Sequence, residues 1–209
     1  EASVRGRMNV GGLVGDNFGW IRDCEADVSV RGAVNVGGLV GKSSGGRSID
    51  RCCARGPVTG EMFVGGLVGL NGYGSTVGDC YASGSATASV RGGGGLVGRS
   101  SEGTITRCYA AGPVSGAAGS IGGLVGEVFL GHTVSASFWD TQTSGMATSN
   151  GGTGRTTAAM RQQATFTAAG WDFDTVWTIR EGSGYPQLRR AWTAPPDDGT
   201  VTVTFDAQG

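Results

Sequence analysis

Apolar and polar positions in this chain alternate in short bursts that recur at a nearly constant interval. The hexad Val-Gly-Gly-Leu-Val-Gly stands at 10–15, 36–41 and 64–69, with Gly-Gly-Gly-Leu-Val-Gly at 93–98 and Ile-Gly-Gly-Leu-Val-Gly at 121–126. Successive copies start 26, 28, 29 and 28 residues apart. Between the hexads a β-branched residue precedes a cysteine by three positions, in IRDC (21–24), IDRC (49–52), VGDC (77–80) and ITRC (105–108). In VSAS (134–137), Ser137 takes the cysteine's place. A third apolar position, Val30, Val58, Ala86 and Val114, follows six residues after each cysteine. Segments this short, cut by Gly, Ser, Asn and Pro, suit strands and not helices. A period in this range marks a repeat array in which each unit buries its apolar face on the next. The expected fold is all-β: a parallel β-solenoid of about five ~28-residue coils with three faces, stacked at about 4.8 Å.

Stacking turns each equivalent position into a ladder. Leu13, Leu39, Leu67, Leu96 and Leu124 form one, and Cys24, Cys52, Cys80 and Cys108 form another, small and apolar enough for the interior. Alanine stands two residues beyond each cysteine (Ala26, Ala54, Ala82, Ala110), then Trp139 in the last unit. Period-2 alternation places the intervening Glu25, Cys53, Tyr81, Tyr109 and Phe138 outside. Asp23, Arg51, Asp79 and Arg107 precede the cysteines, and their alternating charge favours correct register. The β-branched residue and the cysteine have opposite parity, so a corner is expected between them.

After the last hexad the pattern changes. Eight of the chain's 16 aromatics lie between 138 and 192, and a short helix is expected near 157–164. A solenoid end exposes an apolar cross-section, which bulky aromatics would cover. Trp139, Trp171, Phe173, Trp177 and Tyr185 are the cap candidates. The expected organisation is a solenoid over 1–137, its first coil incomplete, and a capping region over 138–193. A Pro-rich linker at 194–199 then leads to the first strand of a further module at 200–209.

Composition narrows the function. Glycine reaches 42 residues without a Gly-X-Y period, which excludes collagen. The formal net charge of −1 and the lack of a basic stripe argue against nucleic acid as a partner. No apolar run approaches the ~20 residues of a membrane span.

The hexads resemble the GLUG-motif repeats of large bacterial surface proteins, adhesin-like proteins and the non-catalytic regions of some IgA-specific metallopeptidases. The resemblance covers about residues 3–192. The terminal VTVTFDAQG is similar to the opening strand of the internalin-type B repeat. Together these resemblances imply a segment of a long, modular bacterial protein that is secreted or held at the cell surface. They bring no catalytic residues and no cofactor.

Candidate chemistry is sparse. A zinc peptidase needs two histidines, and the chain has one, His132. Asp23, Asp50 and Asp79 lie on neighbouring coils and could mimic the carboxylates of a polysaccharide lyase or hydrolase, although each has an arginine nearby. Asp140, Asp172 and Asp174 suit structural capping better than calcium. Equivalent cysteines form a line, not a tetrahedron, and their parallel Cβ vectors hold them slightly too far apart for disulfides, so buried, reduced thiols are expected. Cys53, on the outer face, is the expected reactive thiol. For binding, the loops between hexad and cysteine carry Trp20, Arg47, Tyr73, Arg99 and Phe129, with Phe18, Lys42, Glu102 and His132 beside them. Stacking would align them along one edge, facing a glycan or a surface protein. The leading expectation is therefore a non-catalytic stalk or adhesive module. The alternatives are a carbohydrate-active β-helix fragment, or a solenoid that self-associates through its open end or a Tyr81–Tyr109–Phe138 strip.

Overall fold

The structure is a computed structural model that describes residues 2–117 and 120–189. It is a parallel β-solenoid of about five coils, closed by a C-terminal region with three short helices. The register follows the hexads: Val14 pairs with Val40, Val40 with Val68, Val68 with Val97, and Val97 with Val125. The walls are four sheets where three faces were expected. The first contains Val4, Val30, Val58, Ala86 and Val114 and runs on to the hexad's opening residues. The second begins at the hexad's second valine, in Val14–Asn17, Val40–Ser43, Val68–Gly72, Val97–Ser101 and Val125–Phe129. The third holds Ile21–Arg22, Ser48–Asp50, Thr76–Gly78, Thr104–Thr106 and Thr133–Ser135. The fourth begins one residue after each of Cys24, Cys52, Cys80, Cys108 and Ser137.

The extra face arises because the hexad itself bends. Its first valine, as in Val36 and Val64, enters one core with Val30, Val58 and Ala86. Its leucine and second valine enter the other, with the cysteine and alanine ladders. The glycines form the waist between the two. A Cβ on Gly37 would lie 2.0 Å from the Val40 carbonyl oxygen and 2.7 Å from the Gly69 nitrogen, and one on Gly66 would lie 2.1 Å from the Gly95 oxygen. Only glycine lets the backbones approach so closely. Leu39, Leu67, Leu96 and Leu124 are fully buried, whereas Leu13, in the first described coil, is exposed.

The expected corner sits at the residue before the cysteine. Asp23, Arg51, Asp79, Arg107 and Ala136 all adopt left-handed backbone, with φ between 47° and 55°. For L-residues this costs about 1–2 kcal/mol each. The thiols compensate by supplying hydrogen bonds where the corner interrupts the ladder. The backbone N–H of Cys24 donates to Cys52 Sγ (3.4 Å) and that of Cys52 to Cys80 Sγ (3.3 Å). Each thiol in turn donates to the carbonyl two residues back, Cys80 to Gly78 at 3.0 Å and Cys108 to Thr106 at 3.2 Å. Ser137 does the same in the last coil: its hydroxyl accepts from the Cys108 N–H (3.1 Å) and donates to the Ser135 carbonyl (2.8 Å). Cysteine and serine are interchangeable there because both accept and donate at one atom.

The C-terminal region departs from expectation in shape and place. Its helices are Thr141–Ser144, Thr157–Met160 and Gln163–Thr167, three in place of one. Of the aromatic candidates only Trp139 closes the solenoid end, its ring occupying the place a next coil would take over Gly123. Residues 148–155 complete that closure, pairing with Phe138–Asp140 and with the last hexad. The other candidates pack on the flank, where Trp171, Trp177, Phe173 and Tyr185 cover Cys53, Tyr81, Tyr109 and Phe138. An outward apolar strip of this size must itself be buried, and the C-terminal region supplies the cover. The linker and strand expected at 194–209 lie outside the described residues.

Candidate functional site

The second and third sheets meet at a bend that every coil repeats. Backbone hydrogen bonds stack these bends, Ser44 N–H to the Asn17 carbonyl, Gly46 to Tyr73, Tyr73 to Ser101 and Glu102 to Leu130. Tyr73, Glu102 and Leu130 take left-handed backbone there, and Gly45 and Gly46 do so in the second coil. The bends therefore stack from coil to coil, while Trp20, Tyr73 and Phe129 occupy different register positions in or beside them. Their large apolar side chains point to solvent: Trp20 is 73% exposed, Tyr73 61% and Phe129 51%, with Phe18 and Leu130 beside them.

The charged members are held differently. Arg47 is exposed. Lys42 pairs with Asp16 (3.7 Å) and lies 5.9 Å from the Phe18 ring centre. The Arg99 guanidinium is sandwiched 4.9 Å from both the Phe63 and Phe129 ring centres. Arg91 also lies 4.9 Å from the Phe63 ring centre and pairs with Glu127 (3.2 Å), whose strand position is next to that of Arg99. Phe63 was not among the candidates, since it sits inside the first sheet's strand Val58–Gly65. Its left-handed φ of 56° turns the ring outward. Only the folded coil shows that. His132 is half-buried at the end of the row.

A second concavity was missed by the sequence reading. A groove of about 720 Å³ runs between the fourth sheet and the hairpin formed by Trp177–Thr178 and Gln187–Leu188, lined by Asp23, Glu25, Arg51, Arg55, Gln187 and Arg189 among others. Its two carboxylates are each held by an arginine, and Arg189 donates to the Trp177 and Phe173 carbonyls. Arg51 grips Asp23 bidentately at 2.6 and 2.7 Å, and Glu25 pairs with Arg55. The Tyr81 hydroxyl accepts from Arg55 (2.6 Å) and donates to Gln187 (2.8 Å). The hydrogen bonds and charge of Arg51 hold the Asp23 carboxyl below its ordinary value. Burial pushes the Tyr81 phenol up to about 12. The ladder residues Glu25 and Tyr81 were visible in sequence, but nothing local placed residues 187–189 against them.

The carboxylates considered for catalysis are engaged in the same way. Asp79 is gripped by Arg107 at 2.9 and 2.6 Å and accepts the Trp177 indole N–H at 3.1 Å, and Asp50 pairs with Arg22 and Arg51. Asp140 caps the first helix through the Gln142 and Thr143 amides and accepts from the Tyr185 hydroxyl at 2.7 Å. Asp172 accepts from the backbone of Asp174 and Thr175 in a tight turn.

Two expectations are corrected by burial. Cys53 does face away from the coil core, yet it is only 4% exposed, because the C-terminal region covers it. Burial raises its thiol above the ordinary value, the reverse of a reactive cysteine. The more accessible thiol is Cys24, which is half-buried where the other four are buried. The Tyr81–Tyr109–Phe138 strip lies beneath the same cover and offers no surface for self-association.

The family model described as the GLUG motif matches residues 62–87. A stretch of 58 residues, 28% of this chain, is 45% identical to a protein of Evansella cellulosilytica named "Putative Gly-rich membrane protein". That stretch spans 7% of the relative's length. Among solved structures, a Bacteroides ovatus protein named "putative immunoglobulin A1 protease" shares the fold at a TM-score of 0.63 and 20% identity, over 90% of this chain and 68% of that one. At that identity the likeness concerns the fold. Among the described residues, no helix is long and apolar enough to cross a membrane.

Proposed function

We propose that this chain is a non-catalytic adhesive segment of a secreted or cell-surface bacterial protein, with the stacked bends as its contact surface. The observation that carries this reading is the row of exposed aromatics. Trp20, Tyr73 and Phe129 are exposed in or beside bends that backbone hydrogen bonds stack across five coils. Rigid rings on a rigid scaffold lose little conformational freedom on binding, and sugars or partner side chains stack on them. The test is binding of the purified protein to an array of glycans and extracellular-matrix proteins, with Trp20→Ala and Tyr73→Ala as controls. Saturable binding lost in those variants supports adhesion. A blank from folded protein makes the chain a spacer.

The groove favours a second reading, that of a carbohydrate-active solenoid, because Asp23 and Glu25 line it. Against it, both carboxylates are committed to arginines, so neither is poised as an acid or base. Release of reducing ends from an acidic polysaccharide, abolished by Glu25→Gln, would establish this reading.

A further inference from the structure

The outward positions of the first sheet carry a pattern of their own. Val4 and Val30 turn toward the core, so Arg5 and Arg31, one position on, turn outward and are exposed. The register sets Arg5 directly against Arg31, with Cα atoms about 4.8 Å apart. The same line runs on through Thr59, Thr87 and Ser115. Those rungs carry small hydroxyls, and the hydroxyls of Thr87 and Ser115 hydrogen-bond at 3.0 Å. The first rungs carry guanidiniums instead. Like charges directly opposite each other on neighbouring strands destabilise a sheet.

Among the described residues, Arg22, Arg51, Arg55, Arg91, Arg107 and Lys42 are ion-paired, whereas Arg5 and Arg31 are not. The tetrapeptide Ser-Val-Arg-Gly, at 3–6, 29–32 and 89–92, supplies a contrast. In its third copy a register shift sets Arg91 against Met62, away from the threonine line, where it pairs with Glu127 over the Phe63 ring. In the first and second copies the arginines stack on each other. Arg7, also exposed, stands beside them, and its carbonyl accepts the N–H groups of Ala33 and Val34 on the coil that carries Arg31. Glu61, an exposed acid on this face, lies one coil beyond Ala33. A line that uses hydroxyls elsewhere and here bears an unrelieved arginine pair breaks the local rule, which points to function.

We propose that Arg5 and Arg31 together bind a sulfate or phosphate monoester carried on a carbohydrate. A carboxylate has two oxygens, which one guanidinium fork already satisfies. A sulfate or phosphate monoester offers three, so it can bridge two forks. Thr59, next in line, presents a hydroxyl to the sugar that carries the ester. Binding neutralises the repulsion between the arginines and so stabilises the stack. The site lies on a different face from Trp20, Tyr73 and Phe129 and does not depend on them.

The experiment is calorimetric titration with a heparin tetrasaccharide and with inositol hexakisphosphate, beside a hyaluronan tetrasaccharide, whose only charges are carboxylates. The first two are expected to bind saturably, more weakly as salt rises, and about ten-fold or more worse in Arg5→Thr and in Arg31→Thr. Binding of just one of them identifies the ester as sulfate or as phosphate. Without ligand, the urea midpoint is expected to rise in Arg31→Thr, which matches the rung to Thr59 and removes the repulsion. Equal binding of hyaluronan, or binding that ignores both arginines, would overturn the proposal. So would a lower midpoint in ligand-free Arg31→Thr, which would assign the arginine to the fold. Binding lost in Trp20→Ala and Tyr73→Ala instead would move the ligand to the bends, ending this site and leaving adhesion standing. Failure of folded protein to bind any of the probes would end it too, with the array deciding adhesion separately.

Discussion

The thiol ladder makes a prediction that turns on a single atom. Cys80 Sγ accepts the Cys52 N–H at 3.3 Å and donates to the Gly78 carbonyl, and the residue is fully buried. Cys80→Ala leaves the Cys52 N–H buried without a partner, a cost of about 1–3 kcal/mol. The lost sulfur leaves a small void worth roughly another 1 kcal/mol, as for one methylene. The expected loss is therefore about 2–4 kcal/mol. Cys80→Ser keeps an atom that both accepts and donates, as Ser137 does over Cys108, and should cost no more than about 1 kcal/mol. Urea unfolding followed by circular dichroism measures the totals. Hydrogen exchange at the Cys52 amide reads the local effect, which matters because coils of a repeat protein can open separately. If serine and alanine destabilise equally, or if alanine is the milder, the hydrogen-bonding role of the thiol is wrong and only its volume counts.

Maleimide labelling of the folded protein should modify Cys24 first and spare Cys52, Cys80 and Cys108, as mass spectrometry of the peptides will show. Early reaction at Cys53 would mean that the flank cover opens readily. Trp177→Ala removes a fully buried ring and the indole N–H held by Asp79, and should cost about 3–5 kcal/mol and raise dye binding by exposing the Tyr81–Tyr109 strip. Unchanged stability in that variant would show that the C-terminal region is only loosely docked. Burial raises the Asp140 carboxyl, but its hydrogen bonds from Tyr185, the Thr157 side chain and the Thr143 and Gln142 amides outweigh this and leave it below its ordinary value. Its contribution is thus present above about pH 4 and lost as pH falls through the folded value. Asp140→Asn should flatten that acid limb of the stability curve, and an unchanged limb would assign acid unfolding to other carboxylates. Tyr81 carries the opposite sign. Its raised value means stability is present below about pH 10 and lost as pH rises toward 12, visible as tyrosinate absorbance that appears together with unfolding.

Much of the coil was legible in the sequence because its contacts are periodic. A residue in a parallel stack meets its own equivalent one coil away, so Val40 beside Val68 and Cys53 beside Tyr81 follow from counting. The corner before each cysteine followed from parity, and its left-handed backbone at Asp23, Arg51, Asp79, Arg107 and Ala136 locates it. The fourth face was less accessible, because a Gly-Gly pair reads equally as strand or bend until neighbouring backbones close on it. That the bends of successive coils stack was foreseeable from the repeat, whereas the approach of Phe63 and Phe129 to Arg99 was not.

What the periodicity determined is which side chains turn inward, which turn outward and what lies directly above and below each one. What only the tertiary structure decided is where the aperiodic C-terminal region goes. Its anchoring bonds join residues with no shared repeat: Trp177 with Asp79 across 98 positions, Tyr81 with Gln187 across 106, and Tyr109 with Pro186 across 77. No local propensity encodes such pairs. They form because the outward strip of Tyr81, Tyr109 and Phe138 is costly to leave in water and the C-terminal aromatics fit over it. The same packing turned Cys53 from an exposed thiol into a buried one.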